Sequence, residues 1–246
     1  MKYTKGKFVR SDIQTNERLV ILGRTGTGKS LFADTIMTYL GKKVFVVLMD
    51  VKNEYIHIPV IDFKVFYKQK KGVVRINHLK VKTKTGVFET DDLYKITEFI
   101  AANLFKYNQK LKEAGKPLRR CMICVEELGS VCKKGGRLYD VMYNTAKIVS
   151  QGRGVEIGFI GISQRPQQVH TDFLSQADHI ISFEVSSKHD IEAMKSYFSK
   201  EQYESLKRFG FFHYDIKAGV VKTCYPLYEN ELYHTLDYYR TLFGRS

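Results

Sequence analysis

Cysteine is scarce in this chain. Cys121, Cys124, Cys132 and Cys224 are too few and too unevenly spaced to frame 246 residues with disulfides, so reduced thiols are expected. Long apolar runs are missing too: none approaches the roughly 18 residues that a membrane-crossing helix needs. The start, MKYTKGKFVRSDIQ, lacks the apolar stretch of a signal peptide. A cytoplasmic chain without a transmembrane segment is therefore expected. There is no internal repeat, no low-complexity linker and no HExxH motif, and the seven histidines lack paired-ligand spacing. Acidic residues are also in deficit, 26 Asp and Glu against 40 Lys and Arg, for a formal charge of +14. Such an excess points to a polyanionic partner, with nucleic acid ahead of an anionic membrane surface.

What is present is an alternation of short apolar runs with longer amphipathic stretches, the pattern of parallel strands joined by helical crossovers. Strands are predicted at Arg18 to Leu22, Val44 to Met49, Val73 to Leu79, Cys121 to Val125, Glu156 to Ile162 and His179 to Val185. Helices are predicted over Ser30 to Leu40, Asp91 to Lys112 and Leu138 to Ser150, the second stopped by Gly115 and Pro117. Two short helical stretches follow Asp190, then a hairpin of Phe211 to Asp215 with Val220 to Tyr225, then a Tyr-rich helix from near Asn230. Cys121 and Cys124, on one strand, would point to opposite faces, which favours buried thiols over a zinc or redox pair.

Gly23-Arg24-Thr25-Gly26-Thr27-Gly28-Lys29-Ser30, followed by Leu31, satisfies the P-loop pattern between an apolar strand and an amphipathic helix. Its glycines let backbone N–H groups turn inward on phosphates, Lys29 reaches the terminal phosphates, and Ser30 ligates magnesium. A bare connecting turn would need neither Lys29 nor the hydroxyl after it. Hydrolysis also requires carboxylates at a strand end, and Cys121-Met122-Ile123-Cys124-Val125-Glu126-Glu127 supplies them. Glu126 would hold the Mg2+, although aspartate is commoner there, and Glu127 would orient and deprotonate the attacking water. Gln164, at the end of Ile157-Gly158-Phe159-Ile160-Gly161-Ile162-Ser163-Gln164, suits a γ-phosphate sensor; capping of a strand end is the equal alternative. Arg153, in the turn Gln151-Gly152-Arg153-Gly154, is the candidate arginine finger, with Arg137, Arg165 and a purely solvated Arg153 as competitors.

Lys133, Lys134 and Arg137, around Gly135-Gly136, are the candidate DNA contacts, because they follow the carboxylates closely enough to feel hydrolysis. The longer basic stretch of Lys64, Lys68, Lys70, Lys71, Arg75, Lys80, Lys82 and Lys84 has a solvated face as its bland explanation, and the loop around Gly135-Gly136 is favoured over it. A small-molecule kinase would use the same P-loop, but no acceptor-binding lid is recognisable and the charge has no place in it. A nucleotide-gated DNA-binding assembly module is the other class, and intact Glu127 and Gln164 argue against it.

Together the P-loop, VEELG, the SQGRG turn and GFIGISQRPQQVHTDFLSQADHIISFEV resemble the HerA and FtsK superfamily of DNA-pumping ATPases. VVLMDVKNEY is similar to that family's second strand and its continuation, with Asn53 in place of glycine, so the resemblance covers roughly residues 18 to 200. It implies an α/β, RecA-like (ASCE) P-loop fold, a mainly parallel central sheet flanked by helices. The P-loop strand would neighbour the sensor strand, with the Walker B strand beyond it. It also implies Mg2+-dependent ATP hydrolysis in a homo-oligomeric ring, usually a hexamer, on double-stranded DNA. Residues 1–246 would form one motor domain, with a hairpin and helix over 201–246 beyond the core. Only 22 residues precede Gly23, as in the genome-packaging ATPases of membrane-containing viruses, including archaeal ones. The expected role is packaging into a preformed capsid, in the host cytoplasm or on the virion, with the capsid vertex or internal membrane proteins as partners. The alternative is a HerA-like translocase or helicase in DNA-end processing.

Overall fold

Runs of five to seven residues that are apolar but for a terminal Arg18 or Ser163 have no polar face to leave in water, so they are stable only as strands covered on both sides. The computed structural model describes residues 2–6, 8–61, 68–83, 86–132, 136–185 and 187–224. Within them the chain runs β1 (Lys2–Gly6), β2 (Arg18–Leu22), α1 (Lys29–Gly41), β3 (Phe45–Met49), β4 (Gly72–Ile76), β5 (Leu79–Thr83), β6 (Gly86–Thr90) and α2 (Leu93–Glu113). It continues with β7 (Cys121–Val125), α3 (Leu128–Val131), α4 (Leu138–Val141), α5 (Tyr143–Gln151), β8 (Ile157–Ser163), α6 (Thr171–Ser175) and β9 (His179–Phe183). Last come α7 (Lys188–Met194), α8 (Lys200–Ser205), β10 (Phe211–Asp215) and β11 (Val220–Cys224). Nine strands form one sheet in the order β1-β11-β10-β9-β2-β8-β7-β3-β4. From β9 to β4 every pairing is parallel, and β10 is antiparallel to both of its neighbours.

Alternation along each strand feeds two cores. Leu19 and Ile21 of β2 pack with Phe32 and Ile36 of α1. Val20 and Leu22 join Ile100 and Leu104 of α2 on the other face. Cys121 and Cys124 separate in the same way, one into each core, and burial pushes the Cys121 thiol up to about 12. This is the α/β architecture expected, with β2 beside β8 and β7 beyond it.

Three elements differ from expectation. The run predicted as Val73 to Leu79 ends at Ile76, and a separate antiparallel hairpin, β5 with β6, follows it. Its apolar residues need only one covered face, and Phe88 supplies that by stacking on Phe99 of α2 at 5.6 Å. The helix predicted over Leu138 to Ser150 breaks at the buried Met142, where φ is −138° and ψ is 73°. The break is stabilised from α2: Glu98 accepts from the N–H groups of Asn144 and Thr145 at 2.9 and 2.8 Å, satisfying the first turn of α5. Lys2–Gly6, for which no strand was predicted, pairs parallel with β11 at the sheet's edge. The Tyr-rich helix expected near Asn230 lies outside the described residues.

Candidate active site

β2 delivers the chain to the P-loop at the C-terminal edge of the parallel strands. Gly23 N–H donates to the Ser163 carbonyl at 3.3 Å and Arg24 N–H to the Glu184 carbonyl at 3.0 Å, so the loop is pinned between the ends of β8 and β9. Gly23 must be glycine: φ is +150°, and a Cβ there would lie 2.5 Å from the Phe183 Cβ. Gly26 and Gly28 also take positive φ, 80° and 95°, and α1 begins at Lys29. Such a turn into a helix N-terminus lets successive backbone N–H groups turn toward a phosphate. The Thr27 hydroxyl donates to the Arg24 carbonyl at 2.8 Å and closes the loop from within. Arg24 itself is exposed and ion-paired to Glu184, and Leu31 is exposed on α1.

Lys29 is only 4% exposed. Burial lowers its pKa, while Glu126, Glu127 and Glu54 act in the opposite direction. Both carboxylates emerge from β7. Glu126 is buried, and its N–H donates to the Met49 carbonyl at 3.2 Å. Burial, then the nearby Glu54, pushes its carboxyl up to about 7 against the pull of Lys29 and Lys52. Its Oε1 is buried with no hydrogen-bond partner among the described residues. That orphaned hard oxygen and the Ser30 hydroxyl fit the oxygen-ligand chemistry of magnesium.

Glu127 occupies left-handed backbone, φ 57° and ψ 56°, at the start of α3. Its Oε1 accepts from the Ser163 hydroxyl at 3.2 Å, and its Oε2 lies 3.4 Å from Lys52 Nζ. A strained glutamate held from two sides is the geometry of a positioned base. Gln164 is joined directly to the P-loop: Thr25 Oγ1 donates to Gln164 Oε1 at 2.8 Å.

Comparison with known proteins agrees with this geometry. A family model described as the central domain of helicase HerA matches residues 12–121. Among solved structures, the genome-packaging NTPase B204 of Sulfolobus turreted icosahedral virus 2, in complex with AMPPCP, is 18% identical with a TM-score of 0.65, covering 88% of this chain and 100% of that one. B204 of Sulfolobus turreted icosahedral virus, a DNA-packaging ATPase, is 20% identical at TM-score 0.63, covering 87% and 98%. The likeness is to the HerA central domain over residues 12–121 and to the fold of these NTPases over most of the chain. The pCW3 conjugation coupling protein TcpA, with ATPγS, extends it at 16% identity and TM-score 0.60, covering 93% of this chain and 66% of that one. No curated protein matches the sequence.

Backbone geometry accounts for Asn53 in the turn after β3. Its φ is 58°, the left-handed region where glycine is commonest and asparagine among the best tolerated of the rest. Its side chain then accepts from Arg75 Nη1 at 2.6 Å and Asn77 Nδ2 at 2.8 Å. Buried Asp50 accepts from the N–H groups of Glu54 and Tyr55 at 3.0 and 2.9 Å, which sets Tyr55 beside Ser30. The site therefore gathers Lys29, Ser30, Glu126, Glu127 and Gln164, together with Lys52 and Ser163, which sequence reasoning did not single out. Arg153 stands apart, in the 3₁₀ turn before β8, at the opposite edge of the sheet from its own P-loop. There Nη2 donates to Asp178 Oδ1 at 2.7 Å, beside the bidentate Arg18–Asp178 pair. Arg137 is exposed and precedes α4. Lys133 and Lys134 lie outside the described residues.

Proposed function

We propose that this chain is the ATP-hydrolysing motor domain of a double-stranded DNA translocase, and that its task is packaging a viral genome into a preformed capsid. One observation carries this: Lys29, Glu126, Glu127 and the Thr25-bound Gln164 converge at one strand edge, the first three as buried charged groups. ATP would bind with its phosphates against the N–H groups of Gly23 to Ser30 and the Lys29 ammonium. Mg2+, held by Ser30 and Glu126, supplies positive charge to the terminal phosphates when bound. Glu127 orients a water and takes its proton as the water oxygen attacks the γ-phosphorus. The bond to the ADP oxygen breaks, releasing ADP and phosphate. Gln164, on leaving Thr25, would report whether the γ-phosphate is present. In a homo-oligomeric ring, Arg153 of one subunit would approach the neighbour's nucleotide, as an arginine finger freed from Asp178.

The near end-to-end coverage of B204 supports packaging, with a capsid vertex or internal membrane protein as docking partner and the host cytoplasm or virion as location. The HerA central-domain match favours a second reading, a translocase that feeds DNA-end processing. A triplex-displacement assay tests the motor. The chain should strip a third strand from duplex DNA with ATP and not with a non-hydrolysable analogue. Nucleotide-dependent DNA binding without displacement would instead identify a gated binding module. Co-purification with capsid protein, rather than a nuclease, separates the two motor roles.

A further inference from the structure

The N-terminal edge of the sheet carries a second feature. A cavity of about 520 Å³ opens there beside α2, and three chain segments bring cations to it: Lys43 from before β3, Lys70 from before β4, and Lys116, Arg119 and Arg120 from before β7. Among the described residues, no carboxylate lines it. Lys43, Lys70, Lys116 and Arg120 are exposed around it. Arg119 is set deeper, its guanidinium over the Phe45 ring at 4.6 Å and its Nη2 donating to the Gln69 carbonyl at 2.6 Å. Arg120 lies 3.5 Å from Glu156, which stands outside the cavity lining. β7 links the two sites, because Glu126 and Glu127 follow its C-terminal end while Arg119 and Arg120 precede its N-terminal end. The six residue steps from Arg120 to Glu126 put about 20 Å between them.

We infer that this basic cavity is a binding site for the phosphate backbone of double-stranded DNA, resting for its ligand on the motor reading above. Cations on three separate segments converge only because the parallel strands share one edge, and their repulsion is relieved when a polyanion sits among them. Exposed lysines around a fixed guanidinium can meet phosphates of any sequence, which a motor that grips every sequence requires. The placement also gives Lys70 a role in the basic stretch for which a solvated face was the bland explanation. A phosphate gripped there is joined to the catalytic carboxylates through a single rigid strand.

The test is fluorescence anisotropy of a labelled duplex across a salt series, with wild type, Lys70→Glu/Lys116→Glu and the charge-retaining Lys70→Arg/Lys116→Arg. Every phosphate that a side chain ceases to neutralise lowers the slope of log K against log salt by about 0.9, so the glutamate pair should reduce it by close to two and bind at least tenfold more weakly. The arginine pair should match wild type. Neither pair should alter kcat or KM for ATP measured without DNA. Wild-type slope and affinity in the glutamate pair would overturn the site while leaving the motor intact. Absence of DNA binding by wild type would instead sink the motor reading itself. Weakened binding confined to phosphatidylserine vesicles, with DNA binding unchanged, would overturn the DNA site in favour of a membrane surface.

Discussion

Glu127 lies in a backbone conformation that disfavours a non-glycine residue by about 1–3 kcal/mol, and Ser163 and Lys52 keep its carboxylate in place. Replacing it by glutamine should preserve nucleotide binding and lower kcat by about 10²- to 10⁴-fold, as checked by fluorescent-nucleotide titration beside steady-state turnover. Lys52→Ala should lower kcat with little change in KM, and Lys52→Arg should restore most of the loss. A raised KM at unchanged kcat would show that Lys52 binds nucleotide instead. Gly23→Ala should destabilise the fold by about 1–3 kcal/mol and weaken nucleotide binding, since the new Cβ has only 2.5 Å to Phe183; thermal melts with and without ATP would measure both. The P-loop and carboxylates were legible in the sequence because their chemistry depends on short local spacing. Ser163 and Lys52 were not, because they reach Glu127 from 36 and 75 residues away, and although both lie in stretches that stand out in the sequence, that pairing is tertiary.

The central strands could be found from sequence because both of their faces are buried, which leaves continuous apolar runs. The break at Met142 could not, because Glu98 on another helix stabilises it. The hairpin of β5 and β6 was hidden for a related reason: its anchor, Phe88 on Phe99, is a tertiary contact. Where β9 meets β10, His179 Nδ1 and His213 Nε2 lie 3.1 Å apart, and His179 Nε2 is 3.0 Å from Glu17. Burial, then His179 and Lys222, holds His213 down at about 4 from its ordinary 6.5. The folded state keeps this ring neutral while the unfolded chain protonates it. Its contribution is therefore complete above pH 6.5 and is lost as pH falls towards 4. Melting temperature should drop across that window, and His213→Gln should flatten the drop; an equally steep profile in the variant would assign it to other groups. At the start of α2, Asp92 accepts from the Tyr94 and Lys95 N–H groups at 2.9 and 3.2 Å, so Asp92→Ala should lower stability by about 1 kcal/mol in urea unfolding.

At the scale of the whole molecule, the sheet separates two sets of groups. The P-loop and the carboxylates proposed for nucleotide chemistry lie at the C-terminal strand edge, and the basic cavity and Arg153 lie at the other. Within one chain Arg153 is therefore remote from its own P-loop, and any catalytic part for it requires a neighbouring copy. Mixing Arg153→Ala subunits with Glu127→Gln subunits should restore turnover at the interfaces that pair an intact arginine with an intact base, and inactivity at every mixing ratio would remove Arg153 from that part. The net charge of +14 belongs to this scale as well, since it favours a polyanionic partner, while the number of phosphates neutralised sets the salt slope of any grip on DNA. The most direct measurement is steady-state ATPase activity with and without long double-stranded DNA, at two salt concentrations, for wild type and Lys29→Ala. The account predicts strong stimulation that weakens with salt and is absent in the variant. A wild-type rate that ignores DNA at both salt concentrations would contradict it.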